Sequence, residues 1–332
     1  MRRWIAIAAL LLAAPAWAEE PGKESAAETA ERFAGSSLLY ENSWSVGHGA
    51  NLDPVSTKSW SMLWTGTLAL QATEHLSFSL GGSMQRFLWE EDTTFRNEVW
   101  LSDTTFGLAF APPGPELEGD AEFPLSANVG LDLDLPTSKA SQAETLILAA
   151  SPYMEGTVTA PLLDGWGWTY RFTMTPRAHR YTTAALATPR VCSQATGCTL
   201  GTTTNTGWLN TKLQMTHGIS TSISALDEIL SLSAGLDVTY GWLYDKSPSE
   251  RYPESVLSDP GNAGGTPVTL SSAFTLDLTI TPNDAFAVSV GLWTPGGMTP
   301  SGGWYNPLGN RWSQVYFDVT FYPVGLGKTL AK

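Results

Sequence analysis

The sequence predicts an all-β fold, a transmembrane antiparallel barrel of about twelve strands. Three observations carry that reading. Apolar side chains recur at every second residue in about twelve separate stretches, the period that places alternate side chains on opposite faces of a strand. Beyond the N-terminus, no apolar run approaches the roughly 18 residues a membrane-crossing helix needs. The connections between stretches alternate between short turns and longer polar loops, as they do in bacterial membrane barrels and as a soluble sandwich does not require.

The first 18 residues stand outside this pattern. Arg2 and Arg3 form a positive start, Trp4 to Ala14 an apolar segment, and Ala16-Trp17-Ala18 a small-residue cleavage site. Residues 1–18 are therefore expected to be a signal peptide for the general secretory route, with Glu19 beginning the mature chain. Residues 19–35 are polar and Ala-rich and read as a periplasmic N-terminal segment; a plug entering the lumen is the other reading. The barrel is expected over 36–323, with a tail at 324–332.

The strands follow in order. The first, near 36–50, is the weakest, with Leu38, Tyr40, Trp44 and Val46 on one face. The second, 58–72, carries Trp60, Met62, Trp64, Leu68 and Leu70. A tight turn at Thr73-Glu74-His75 leads to the third, 76–89, with Leu76, Phe78, Leu80, Met84 and Leu88. The fourth, 98–111, has Trp100, Phe106, Leu108 and Phe110, and ends at a Pro-rich breaker. The fifth, 122–135, alternates Leu131, Leu133 and Leu135 against Gly130, Asp132 and Asp134. The sixth, 144–160, places Leu146, Leu148, Met154 and Val158 outward; the seventh, 166–182, Trp168, Tyr170 and Phe172. The eighth, 206–223, has Leu213, Met215 and Ile219. The ninth, 230–244, is the clearest: Leu230, Leu232, Ala234, Leu236, Val238, Tyr240, Trp242 and Tyr244 share a face. The tenth (267–281), eleventh (285–295) and twelfth (311–323) repeat the pattern through Leu276, Val290 and Phe317. Connections after the even-numbered strands are short, with 112–121 somewhat longer, and those after the odd are mostly longer, with only 51–57 short; this assigns both termini to the periplasm and implies an even strand count.

Composition agrees with this scheme. Charged residues make up 15% of the chain against 14 Trp, which suits a lipid-facing surface over a solvated one. A formal charge of −14 argues against nucleic acid as a partner, since that requires a basic footprint. The only cysteines, Cys192 and Cys198, are expected to form a local disulfide in an oxidising compartment.

The leader MRRWIAIAALLLAAPAWA, the dyad strands and the aromatic final strand WSQVYFDVTFY together resemble the Gram-negative outer-membrane β-barrels of the porin and channel kind. The resemblance implies passive transport, no cofactor, and a last strand read by the barrel-assembly machinery during biogenesis through Phe321 and Tyr322; the partners it implies besides that machinery are outer-membrane lipid and lipopolysaccharide and a small solute. The segment GLDLDLPTSKASQ also resembles a strand-end motif of transport barrels linked to aromatic-compound degradation, with Ser138 where those carry Gly.

The faces opposite the apolar rows hold Ser, Thr, Gly, Asn and Gln, the lining of a wet lumen. They also hold charges. The expected lumen residues are Asp132, Asp134 and Glu155 on the fifth and sixth strands, Arg171, Arg177, His179 and Lys212 on the seventh and eighth, and Asp237, Asp277 and Asp318 beyond. Turn length brings Glu155 opposite Arg171 as a cross-strand ion pair. In the channel reading a basic ladder faces acidic walls and sets selectivity; in the alternative the charges fill a closed barrel whose outer loops do the work. A lipid-modifying enzyme is the third class. His217 sits on the apolar face, but Ser220 points the other way, so no His-Ser pair suited to nucleophilic catalysis is present. No metal site is expected, because the remaining histidines lack paired ligands.

Overall fold

The computed structural model describes residues 32–45, 59–90, 99–112, 125–160, 165–182, 209–226, 229–245, 268–297, 306, 308–310 and 313–325. Its elements are β1 (Ser37–Ser45), β2 (Ser59–Gln71), β3 (Leu76–Glu90), β4 (Val99–Leu101), β5 (Thr104–Phe110), β6 (Leu125–Leu135), α1 (Lys139–Ala143), β7 (Leu146–Ala160), β8 (Trp166–His179), β9 (Thr211–Ala225), β10 (Leu230–Leu243), β11 (Val268–Asn283), β12 (Phe286–Gly297) and β13 (Gln314–Phe321). All strands belong to one antiparallel sheet that closes on itself through β1, which pairs with both β2 and β13. β4 and β5 both pair with β3, one after the other along its length. The ring is thus a closed barrel of twelve staves, one of them broken in two. Leu38, at the start of β1, lies opposite Phe321, at the end of β13, so the two ends of the barrel meet at one rim.

Burial is inverted relative to a water-soluble fold. Among the described residues the buried apolar side chains are only Phe87, Leu146, Ala149, Ala285 and Ala287. Ser43, Ser61, Ser151, Thr175, Thr294 and Ser313 are buried instead. Leu125, Met154, Ile219 and Val290 are half or more exposed, and Phe78, Phe106, Leu232 and Leu278 nearly half. A sandwich would bury such a row against a second sheet. Here no second sheet covers it among the described residues, and the closed ring pairs its staves with a neighbour on each side, as a transmembrane barrel requires where water is absent. Trp168, Trp60 and Tyr240 are exposed on the same outward surface, the aromatic content expected near a membrane interface.

The turns at the terminal rim are locally encoded. Asn283 Oδ1 accepts from the backbone N–H of Ala285 (2.8 Å) and of Phe286 (3.3 Å), closing the β11–β12 hairpin as an Asx turn. Gly165 supplies the positive φ (75°) that admits β8, and a Cβ there would crowd Ser224.

Two stretches depart from simple alternation. The expected fourth strand is interrupted at Ser102-Asp103, and its two halves pair with β3 one residue out of step. The slip turns Trp100 to the inner face, where its ring meets the buried Phe87 edge-on at 5.7 Å. Trp100 is therefore not lipid-facing, as simple alternation had implied. In β7 the register shifts between Leu146 and Leu148, which buries Leu146 and exposes Ile147. A period-two reading assumes an unbroken pleat, and a bulge reverses every facing beyond it.

Candidate functional site

The candidate site is the lumen wall. Cross-strand register carries one inward row around the barrel: Asp132 faces Ser151, Glu155 faces Arg171, Arg171 faces Gly218, and Gly218 faces Asp237. Further on, Asp277 faces Gly291, Gly291 faces Tyr316, and Asp318 faces Glu41. Asp132, Asp134, Glu155, Arg171, Arg177, His179, Lys212, Asp237, Asp277 and Asp318 all occupy the face opposite the lipid-exposed row. Cys192 and Cys198 lie outside the described residues.

Two walls differ in charge. On the β6–β8 wall, Arg171 sits 3.5 Å from Asp132 and 3.6 Å from Glu155, and its guanidinium stacks 4.0 Å from the centroid of the Tyr153 ring. Tyr153 can lie flat there because its cross-strand neighbour is Gly130; a Cβ at that position would overlap the ring. The Arg171 side chain is 43% exposed, so these contacts add little stability. Their effect is to neutralise and fix a positive charge. The expected Glu155–Arg171 pair is present, but Asp132 shares the cation with it.

The opposite wall is acidic. In either direction around the ring, five staves separate β7 from β13. Glu41, Asp277 and Asp318 project from β1, β11 and β13, and among the described residues none of them pairs with Lys or Arg. Tyr316 lies over Gly291 as Tyr153 lies over Gly130, and its hydroxyl donates to Asp277. One oxygen of Asp318 is buried with no hydrogen-bond partner. Glu41 and Asp318 are direct cross-strand neighbours, an arrangement of like charges that costs stability. A cavity of about 370 Å³ opens here, lined by Glu41, Ser43, Gln85, Thr275, Trp293, Gln314, Tyr316 and Asp318.

At the rim away from the termini, the remaining cations are engaged. Arg177 lies 3.9 Å from Glu144 and donates to Gln214 Oε1 at 2.9 Å. Lys212 meets Asp245 at 3.5 Å. Asp237 lies opposite the strand that bears Lys212, and packs across Gly218 of that strand on the Arg171 side. The ring nitrogens of His179 lie 2.8 Å from Glu144 O and 3.1 Å from Thr211 O. That tethers the 136–145 connection to β9. The same connection is anchored by the Leu-Pro-Thr-Ser segment. The backbone N–H of Ser138 donates to Asp103 Oδ1 (2.8 Å), and the Ser141 hydroxyl donates to the other oxygen of Asp103. Ser138 Oγ in turn caps α1 by accepting from Ser141 N–H at 3.0 Å. The motif is thus a clamp joining the broken stave to the β6–β7 connection.

His217 lies on the outer surface, with Nδ1 2.8 Å from the Tyr170 hydroxyl and its ring 5.0 Å from that of Phe172. Ser220 lies on the inner face, opposite Gly235. The polar partner of His217 is a phenol, and the pair has no serine nucleophile.

Sequence reasoning missed Glu41, Glu144, Asp103, Tyr153 and Tyr316. Glu41 was legible, since it alternates with Tyr40 and Asn42 in β1. The tyrosines were not, because each is defined by a glycine on the neighbouring strand.

No family pattern matches the chain, and no curated protein matches it. Solved structures do. The crystal structure of an outer-membrane channel from Pseudomonas putida F1 is 9% identical, with a TM-score of 0.50 over 92% of this chain and 99% of that one. The KdgM porin is 9% identical, with a TM-score of 0.40 over 86% and 98%. An outer-membrane phospholipase dimer of Salmonella typhi with bound calcium is 10% identical, with a TM-score of 0.31 over 87% and 90%. The first likeness is one of fold: the chain has the architecture of an outer-membrane β-barrel. The other two share too little geometry to bear on function.

Proposed function

We propose that this barrel is a porin-like channel of the bacterial outer membrane, passing small polar solutes down their gradients through its lumen. The observation that carries the reading is the inverted burial: a polar, charged inner wall inside an apolar outer band. A twelve-stave ring with strands about 4.8 Å apart and tilted about 40° is roughly 24 Å across at the backbone. Side chains reaching in from both walls leave a path of about 10 Å, enough for small solutes and too narrow for folded protein. The fourteen residues of β10 rise about 35 Å at that tilt, which exceeds an apolar band of about 25 Å.

In this reading residues 1–18 direct export, the rim holding both barrel ends faces the periplasm, and the 136–145 clamp lies at the outer mouth. Lipid is the partner of the outer face.

The test is liposome swelling with the purified, heat-modifiable protein and uncharged solutes of graded size. Swelling that declines with solute size supports the channel. No swelling with any solute would overturn it in favour of a closed barrel acting through its outer loops.

A further inference from the structure

We propose that the lumen selects small cations, and that the wall made by β13, β1 and β11 sets this selectivity, not the basic ladder of β8 and β9. The inference rests on the channel reading and names the solute class for the same path.

The basic residues do not offer free positive charge. Arg171 is held between Asp132 and Glu155 at 3.5 and 3.6 Å and capped by the Tyr153 ring. That group is net negative even with the arginine counted. An anion entering it would have to displace two carboxylates already in place. The opposing wall has no such compensation. Glu41, Asp277 and Asp318 stand together without a Lys or Arg partner among the described residues. Glu41 and Asp318 line open lumen space beside the rings of Trp293 and Tyr316. Rings of Asp and Glu are how pores admit cations, and aromatic faces beside them add attraction for a protonated amine. The Tyr316 hydroxyl bond to Asp277, with the ring lying over Gly291, fixes that part of the wall. Its negative field is preorganised before a cation arrives. The permeant class that fits is inorganic monovalent cations and small amines in their protonated form.

The experiment is the reversal potential of the purified full chain in a planar bilayer under a KCl gradient. A permeant cation passing about 4 Å from one carboxylate in a watery, salt-screened lumen is favoured about threefold. The wild-type protein should therefore pass K+ over Cl− by at least about threefold. Glu41→Gln with Asp318→Asn should lower that ratio by about threefold per carboxylate, and Arg171→Gln, which uncovers the carboxylates of Asp132 and Glu155, should raise it. Glu41→Gln alone serves if the double variant does not insert. A wild-type ratio at or below one overturns the proposal. So does a ratio that collapses in Arg171→Gln and survives in the acidic variants. Anion-preferring conductance leaves the channel reading standing and removes only this inference; the absence of any conductance removes both.

Discussion

Gly291→Ala is expected to destabilise the barrel through Tyr316. A Cβ at Gly291 would overlap the phenol carbon and hydroxyl of Tyr316 and crowd an oxygen of Asp277. No backbone atom is among those nearest contacts, so the side chains must move. Overpacking of this kind costs about 1–3 kcal/mol. Displacing the ring also breaks the hydrogen bond from Tyr316 to Asp277, and a bond to a charged acceptor contributes about 1.5–3 kcal/mol. Because one perturbation breaks the other, the two costs should not add. Tyr316→Phe alone should cost about 1.5 kcal/mol by losing that bond. The double variant should then fall short of the sum of the singles by about 1 kcal/mol or more. Urea unfolding in lipid vesicles, followed by tryptophan emission, measures all three. Additivity to within about 0.5 kcal/mol would refute the reasoning, because it would mean that Gly291 and Tyr316 act independently.

Other positions test other parts of the account. Asp103→Ala removes the acceptor for both Ser138 N–H and the Ser141 hydroxyl. Amide exchange over 138–144 should accelerate by at least about 30-fold, corresponding to about 2 kcal/mol of local stability; unchanged exchange would mean that the clamp holds without it. Ile219 and Ser220 are chain neighbours on opposite faces, Ile219 outward beside Tyr170 and Ser220 inward beside Gly235. Lysine at Ile219 should cost about 2–4 kcal/mol in vesicles and at Ser220 under about 1 kcal/mol, a reversal of which would exchange lumen and lipid.

The barrel was legible in the sequence because lipid imposes a rule on every strand. Each exposed backbone group must be paired and the outward side chains must be mostly apolar, so period two survives in Leu230–Leu243 and Val268–Asn283 with few breaks. The slip at Ser102-Asp103 was not legible. Nothing in a run of alternating residues marks where a stave will break, and Trp100 changed sides as a result. The charges of the lumen were legible one by one, since facing follows from alternation. Their partners were legible only where a short turn fixes register, as for Glu155 and Arg171. Asp132 reaches the same arginine from two strands away. The meeting of Glu41 with Asp318 depends on the first and last strands of the barrel closing on one another. Such contacts are set by register around the ring, which local patterning does not carry.

The central claim is that the inner wall is the path. It is tested most directly by single-channel recording of Glu41→Cys and Tyr40→Cys, each in a Cys192→Ser/Cys198→Ser background, before and after a bulky water-soluble thiol reagent. Glu41 lies on the acidic wall and borders the lumen cavity, while Tyr40 faces outward beside Trp64. The account predicts that modification lowers the conductance of Glu41→Cys and leaves Tyr40→Cys unchanged. Channels that stay unaffected by modification at Glu41, or a folded barrel that never conducts, would contradict it.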